Sequence, residues 1–182
     1  MFDDFAAVME HLILRRYTSP QKLAIMGRSN GGLLMGAMLT QHPDRMKAVV
    51  SAVGIYDMLR VELSPNGAFN VSEFGTVKDP KQFRALHAYS PYHRVKEGTK
   101  YPATLFLTGA NDPRVDPMQS RKMTARLQSA TASDAPILLR TSATSGHGEG
   151  TSFSERIEEF VDITAFLFAQ LGVKARSKES KP

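Results

Sequence analysis

A serine between glycines, an aspartate and a histidine, in that order along the chain, are the residues here that could do chemistry together. Gly27-Arg28-Ser29-Asn30-Gly31 follows an apolar run and precedes a helix-forming one. A serine on such a strand-to-helix turn projects its hydroxyl above a sheet. The helix N-terminus behind it offers backbone N–H groups to a developing oxyanion. That hydroxyl becomes a nucleophile only when a base takes its proton and an acid holds the base in the right tautomer. Asp112, in Gly109-Ala110-Asn111-Asp112-Pro113-Arg114, and His147, in Ser145-Gly146-His147-Gly148-Glu149-Gly150, each follow a β-rich run. Together the three residues point to acyl transfer through a covalent serine intermediate. Asp57 is a second candidate for the acid, while Asp116, just before Pro117, reads as a helix cap. His11, His42, His87 and His93 read as structural, and Glu149 as a solvent-facing neighbour of His147. No carboxylate pair, phosphate loop or metal-ligand spacing competes, so neither metal nor cofactor is expected.

Holding these residues together takes a sheet, and the chain alternates helical periodicity with short β-rich runs. Phe2, Phe5, Val8, Met9, Leu12 and Ile13 predict an amphipathic helix ending near Arg15-Arg16. Lys22–Met26 predicts a buried strand, and Leu33–Gln41 a helix stopped by His42-Pro43; Met35 and Met38 read as core filler on it. Gly27 and Gly31 are expected to let that strand and helix approach without a Cβ clash. Ala48–Val53, Ala103–Thr108 and Ile137–Thr141 predict three further strands. Pro117–Ala130 predicts a helix, and residues 54–100 read as irregular apart from a short helix around Lys81–Tyr89. A last helix is predicted from Ser154 to Leu171, with Ile157, Phe160, Val161, Thr164, Phe168 and Leu171 facing inward and Gly172 stopping it. The expected fold is α/β, a mostly parallel sheet of about four strands with helices on both faces. Ligands in such sheets bind beyond the carboxyl ends of the strands, which is where Ser29, Asp112 and His147 fall.

The 182 residues are 42% hydrophobic and 23% charged, a composition suited to one ordinary domain over residues 1–173. The absence of cysteine excludes a disulfide scaffold, a thiolate zinc site and a cysteine nucleophile. Of the net charge of +5, much sits in the tail 174–182, where Lys174, Arg176, Lys178 and Lys181 face only Glu179. That tail reads as a solvated, disordered terminus, so no nucleic acid is expected as a partner. No apolar run is long enough to span a membrane, and no membrane partner is expected. The start Met1-Phe2-Asp3-Asp4-Phe5 is acidic where an export signal is basic. This leaves the compartment open, with the cytoplasm expected for the chain as it stands.

Several stretches, in order and over nearly the whole chain, resemble one family. They are Tyr17-Thr18-Ser19-Pro20, Gly27-Arg28-Ser29-Asn30-Gly31-Gly32-Leu33-Leu34, Tyr89-Ser90-Pro91-Tyr92-His93, Asn111-Asp112-Pro113-Arg114-Val115 and Gly146-His147-Gly148-Glu149-Gly150. The likeness is to the catalytic α/β-hydrolase domain of the prolyl oligopeptidase family of serine peptidases. The resemblance implies Ser29 as nucleophile, Asp112 as orienting acid, His147 as general base and the Asn30 N–H as an oxyanion donor. It implies that Arg114 binds a substrate backbone carbonyl. It also implies that Ile55, Phe74 and Val115 line the pocket for the residue before the scissile bond. Where the family usually stacks a tryptophan on the substrate proline, this sequence places Asn70, or Phe69 if the alignment slips by one. The chain has no tryptophan at all, so strict proline specificity is not implied.

Peptides or small acyl compounds are the implied substrates. The leading reading is a prolyl-oligopeptidase-like peptidase. A second is an esterase or acyl-aminoacyl hydrolase, and a third a truncated, weakly active or inactive chain with an assembly role. The resemblance implies a sheet of eight strands and a propeller domain, and the sequence starts just before the nucleophile strand. A partial α/β-hydrolase fold is therefore expected, without the N-terminal strands, the propeller and the tyrosine that donates the second oxyanion bond. Self-association through the exposed edge of the Lys22–Met26 strand is expected to follow.

Overall fold

Strand β1 (Ala24–Arg28) pairs with β2 (Ala48–Ala52), β2 with β3 (Ala103–Gly109), and β3 with β4 (Ile137–Ser142), all parallel. The computed structural model describes residues 1–148 and 151–174. The basic tail beyond Lys174, and Glu149 and Gly150 after His147, lie outside the described residues. Parallel strands covered on both faces read as near-continuous apolar runs, and every residue of β2 and β3 is buried. Their side chains still alternate between the faces. Ile25, Val49 and Phe106 face helices α1 (Phe2–Leu14), α2 (Asn30–Gln41) and α6 (Met118–Ala130), meeting Met9, Met35, Met38, Met123 and Leu127. Val50, Ala52, Leu105 and Leu107 face α7 (Phe153–Leu171) and meet Phe166.

Sequence boundaries shift where backbone partners decide them. β1 begins at Ala24 rather than Lys22, because the Lys22 N–H is held in a turn by the Ser19 carbonyl at 2.9 Å. It runs on through Gly27 and Arg28, which pair with Ser51 and Ala52. α2 begins at Asn30, directly on Ser29, rather than at Leu33. The segment 54–100 is far from irregular, since it holds α3 (Gly67–Phe74), α4 (Pro80–Tyr89) and α5 (Pro91–Arg94). Only α4 is legible beforehand, and the Asp79 side chain caps it by accepting from the Lys81 and Gln82 N–H groups at 2.9 and 2.8 Å. An eight-residue helix such as α3 is marginal on its own propensity and depends on tertiary packing.

The largest correction is the rotation of α7. Ile157, Phe160, Val161 and Phe168, expected inside, are exposed. Phe166, with Ile163 and Leu167 beside it, packs on the sheet instead. Both stripes are apolar at helical spacing, so periodicity cannot choose between them. Polar contacts go with the observed rotation. Arg28 holds Glu159 at 3.0 Å, Arg140 holds Asp162 at 2.6 Å, and the hydroxyls of Ser142 and Thr144 donate to Glu155. Glu155 and Glu159 thereby take the sheet side, while Asp162 meets Arg140 with 54% of its own side chain exposed.

Candidate active site

Ser29 stands between the end of β1 and the first residue of α2 with φ 58° and ψ −119°. This is strained backbone for a residue with a side chain, and such strain clusters where a side chain must be presented. Three hydrogen bonds hold it. The Ser29 N–H donates to the Ala52 carbonyl at 2.9 Å, and its carbonyl accepts from Gly32 and Leu33 at 2.8 and 3.2 Å. Gly27 is needed here, because a Cβ on it would lie 2.4 Å from the Gly31 carbonyl oxygen. Gly31 is not, since a Cβ there would meet nothing within 4 Å. The crowded partner is Gly32, outside the five-residue motif, where a Cβ would fall 2.6 Å from Gly54 Cα. The close approach is therefore between the first turn of α2 and the loop that follows β2. Tyr56, fully buried, supports this turn from behind, with its hydroxyl 2.7 Å from Ser51 Oγ. Burial pushes that phenol far above its usual range, and hydrogen bonds to Ser51 and Ser120 offset the shift only in part.

Beyond the ends of β3 and β4 the other two residues arrive. His147 Nε2 lies 2.8 Å from Ser29 Oγ, and Nδ1 lies 2.8 Å from Asp112 Oδ2. The Asp112 side chain is sealed from solvent, and its second oxygen accepts the N–H groups of Arg114 and Val115 at 2.8 and 2.9 Å. The two loops are stitched together. Asn111 N–H donates to the Ser145 carbonyl at 3.2 Å, and its side-chain amide donates to the Ala143 carbonyl at 3.1 Å. A glycine at 109 leaves room for this, because a Cβ there would sit 2.3 Å from the Ser145 oxygen.

The rival groups are occupied otherwise. Asp57 is buried and bonded by Lys122, with Arg60 at 3.5 Å. Asp116 accepts from the Met118 N–H at 2.8 Å, as a cap. His87 stacks on Phe83, and His93 Nδ1 lies 2.9 Å from Ser90 Oγ. Burial lowers the His93 pKa, with Asp57 opposing that shift. Among the described residues, no group of three or more acidic or histidine side chains is placed to hold a metal ion.

Beside Ser29 and His147 opens a cleft of about 510 Å³. Ile55, Asn70, Phe74, Arg114 and Val115 all line it. Phe69, 77% exposed, lines it as well, so both residues of the alternative alignment reach the cleft. No tyrosine is among its lining residues. Three wall residues, Asn66, Glu73 and Pro113, escape sequence reasoning. Glu73 accepts from the Asn30 side-chain amide at 2.9 Å and so tethers the first residue of α2 to α3. Once α3 is known to be helical, Asn66, Phe69, Asn70 and Glu73 fall on one face at i, i+3, i+4 and i+7, which is the signal that would have found it.

Residues 1–174 match the prolyl oligopeptidase family. Prolyl endopeptidase of Elizabethkingia miricola is 42% identical over 175 residues, covering 96% of this chain and 25% of the relative. A solved chain from a structural study of two prolyl endopeptidases superposes with TM-score 0.92 at 46% identity, covering 95% of this chain and 26% of that one. Prolyl oligopeptidase B from Galerina marginata, bound to a 35mer hydrolysis and macrocyclization substrate, superposes with TM-score 0.91 at 32% identity over 96% of this chain and 25% of its own. The chain spans about a quarter of the length of the relatives it matches.

Proposed function

The chain belongs to the prolyl oligopeptidase family, and from that premise we propose that it carries the acyl-transfer centre of a serine peptidase. The observation that carries this reading is the unbroken relay from Ser29 Oγ through His147 to the sealed Asp112 carboxylate, 2.8 Å at each bond. Ser29 Oγ attacks the scissile carbonyl while His147 Nε2 takes its proton. Asp112 keeps the Nδ1–H in place and stabilises the imidazolium. The Asn30 N–H, first in α2, donates to the oxyanion. His147 passes the proton to the leaving amine, and a water molecule then repeats the sequence to release the acid and restore Ser29. Arg114, at the rim of the cleft, donates to a backbone carbonyl of the peptide. Ile55, Phe74 and Val115 enclose the side chain before the cut.

Asn70 in the cleft wall and the lack of any tryptophan favour a second reading with the same chemistry, hydrolysis of esters or acyl-aminoacyl compounds. The outer edge of β1, where Met26 is 62% exposed, and the outward apolar stripe of α7 support self-association of the chain as it stands, in an assembly role. Treating the folded chain with a fluorophosphonate and mapping the adduct tests the centre. Labelling confined to Ser29 and lost in His147→Ala is the expected result. Labelling spread over other serines, or indifferent to His147→Ala, overturns the assignment. Turnover of a peptide against an ester of the same acyl group separates the two substrate readings.

A further inference from the structure

Arg28 takes no part in the relay, yet its guanidinium bridges the two chain segments on which the relay depends. Its Nη2 donates to the backbone carbonyl of His147 at 2.8 Å, and its Nη1 donates to Glu159 Oε1 at 3.0 Å. We propose that Arg28 is a positioning residue that, braced by Glu159, clamps the His147 carbonyl and so keeps the imidazole within bonding distance of Ser29. The proposal rests on the acyl-transfer reading above.

Several features converge on this role. Arg28 is the last residue of β1, fixed by its pairing with Ala52 and adjacent to Ser29, so the clamp is referenced to the nucleophile itself. A guanidinium is a rigid planar fork, able to hold two acceptors at once in a fixed relation, which an ammonium is not. Glu159 lies on the sheet side of α7 with 24% of its side chain exposed, against 42% for Arg28, so the brace is partly screened from solvent. The chain leaves His147 through Gly148 at φ 122°, and a Cβ there would fall 2.7 Å from Arg28 Nη2. The guanidinium fills the space that a side chain would need. On the other side of His147, Asn111 holds Ser145, and Asp112 holds the ring. Glycines on both flanks give this backbone wide freedom. Arg28 supplies the tie to the His147 carbonyl itself, and displacing a reacting group by about 1 Å can cost ~10²-fold in rate.

The test uses the full chain with Arg28→Met, Arg28→Lys and Glu159→Gln. It reads the limiting rate of fluorophosphonate labelling at Ser29 and the amide hydrogen exchange of residues 143–148 and of β2 and β3. Arg28→Met is expected to lower the limiting rate by about tenfold to a hundredfold while leaving half-saturation by the reagent unchanged. It should speed exchange in 143–148 and leave β2 and β3 as they are. Arg28→Lys should recover part of the loss, and Glu159→Gln should fall between Arg28→Met and the parent. Wild-type rate and wild-type exchange in Arg28→Met overturn the clamp, and so does a loss of protection spread evenly over β2 and β3. If the parent chain is not labelled at all, the acyl-transfer reading fails, and exchange alone decides the clamp by the same criterion. Should Arg28→Met not fold, Glu159→Gln carries the same comparison, with unchanged rate and exchange again counting against the proposal.

Discussion

Replacing Asp112 by asparagine separates what its two oxygens do. Oδ1 holds the Arg114 and Val115 N–H groups, and Oδ2 faces His147 Nδ1. An asparagine can keep both backbone bonds only by leaving its carbonyl at Oδ1 and turning its amide nitrogen toward the imidazole. That nitrogen is a donor, so Nδ1 must become the acceptor and the ring proton moves to Nε2. Nε2 then donates to Ser29 Oγ and cannot take its proton. Loss of the correct tautomer is worth ~10⁴ in rate, about 5 kcal/mol of barrier. Folding should suffer far less, because two charge-assisted bonds become two neutral ones, a loss of about 0.5–2 kcal/mol each. Asp112→Ala removes the acceptor altogether and strands the two N–H groups at about 1–3 kcal/mol apiece. The assay is fluorophosphonate labelling of Ser29 alongside thermal unfolding, where each kcal/mol corresponds to about 2–4 °C for a chain of this size. Both variants should be equally unreactive, with the alanine chain melting clearly lower. Labelling of Asp112→Asn within about tenfold of the parent, where ~10⁴ is expected, would refute the reasoning and send the search for the orienting acid elsewhere.

Gly32→Ala should destabilise the chain by about 1–3 kcal/mol, since its Cβ meets the backbone at Gly54 and Ala52 and overpacking costs that much. Gly31→Ala, with open space around it, should be neutral or stabilising in the same thermal melts; a reversed order would contradict the packing of the turn. The depressed pKa of His93 means that the unfolded chain binds more protons just below pH ~6.5. Its contribution is therefore full above that pH and is lost as pH falls through the folded value. His93→Gln should flatten the acid side of a urea-midpoint profile between pH 7.5 and 5, and an unaltered slope would exclude His93 as its source. Met26→Lys, on the outer edge of β1, should raise the monomer fraction seen by light scattering, because an edge charge blocks strand pairing. Unchanged association would place the contact elsewhere.

Much of this architecture is written locally. Strand and helix periods differ, so the types and order of the main elements can be read residue by residue. The motifs single out Ser29, Asp112 and His147, and all three follow the carboxyl ends of parallel strands, where sites in such sheets gather. The motif residues of the cleft, Asn30, Ile55, Asn70, Phe74, Arg114 and Val115, come with the family resemblance, and all of them border Ser29 and His147 or line the same cleft. What stayed hidden depends on partners far away in sequence. Periodicity says that α7 has apolar stripes, but which stripe meets the sheet shows only in the fold, where Phe166, Ile163 and Leu167 pack on it and Glu159 and Asp162 meet Arg28 and Arg140. Glu73 enters the cleft only because α3, too short to declare itself, is held in place by packing. Gly32 rather than Gly31 is the glycine that close approach demands, because the crowding atom belongs to Gly54. The tie from Arg28 to the His147 carbonyl joins residues 119 apart in sequence. A residue's own pattern reports how it prefers to sit, while the partner it sits against is set by the fold as a whole.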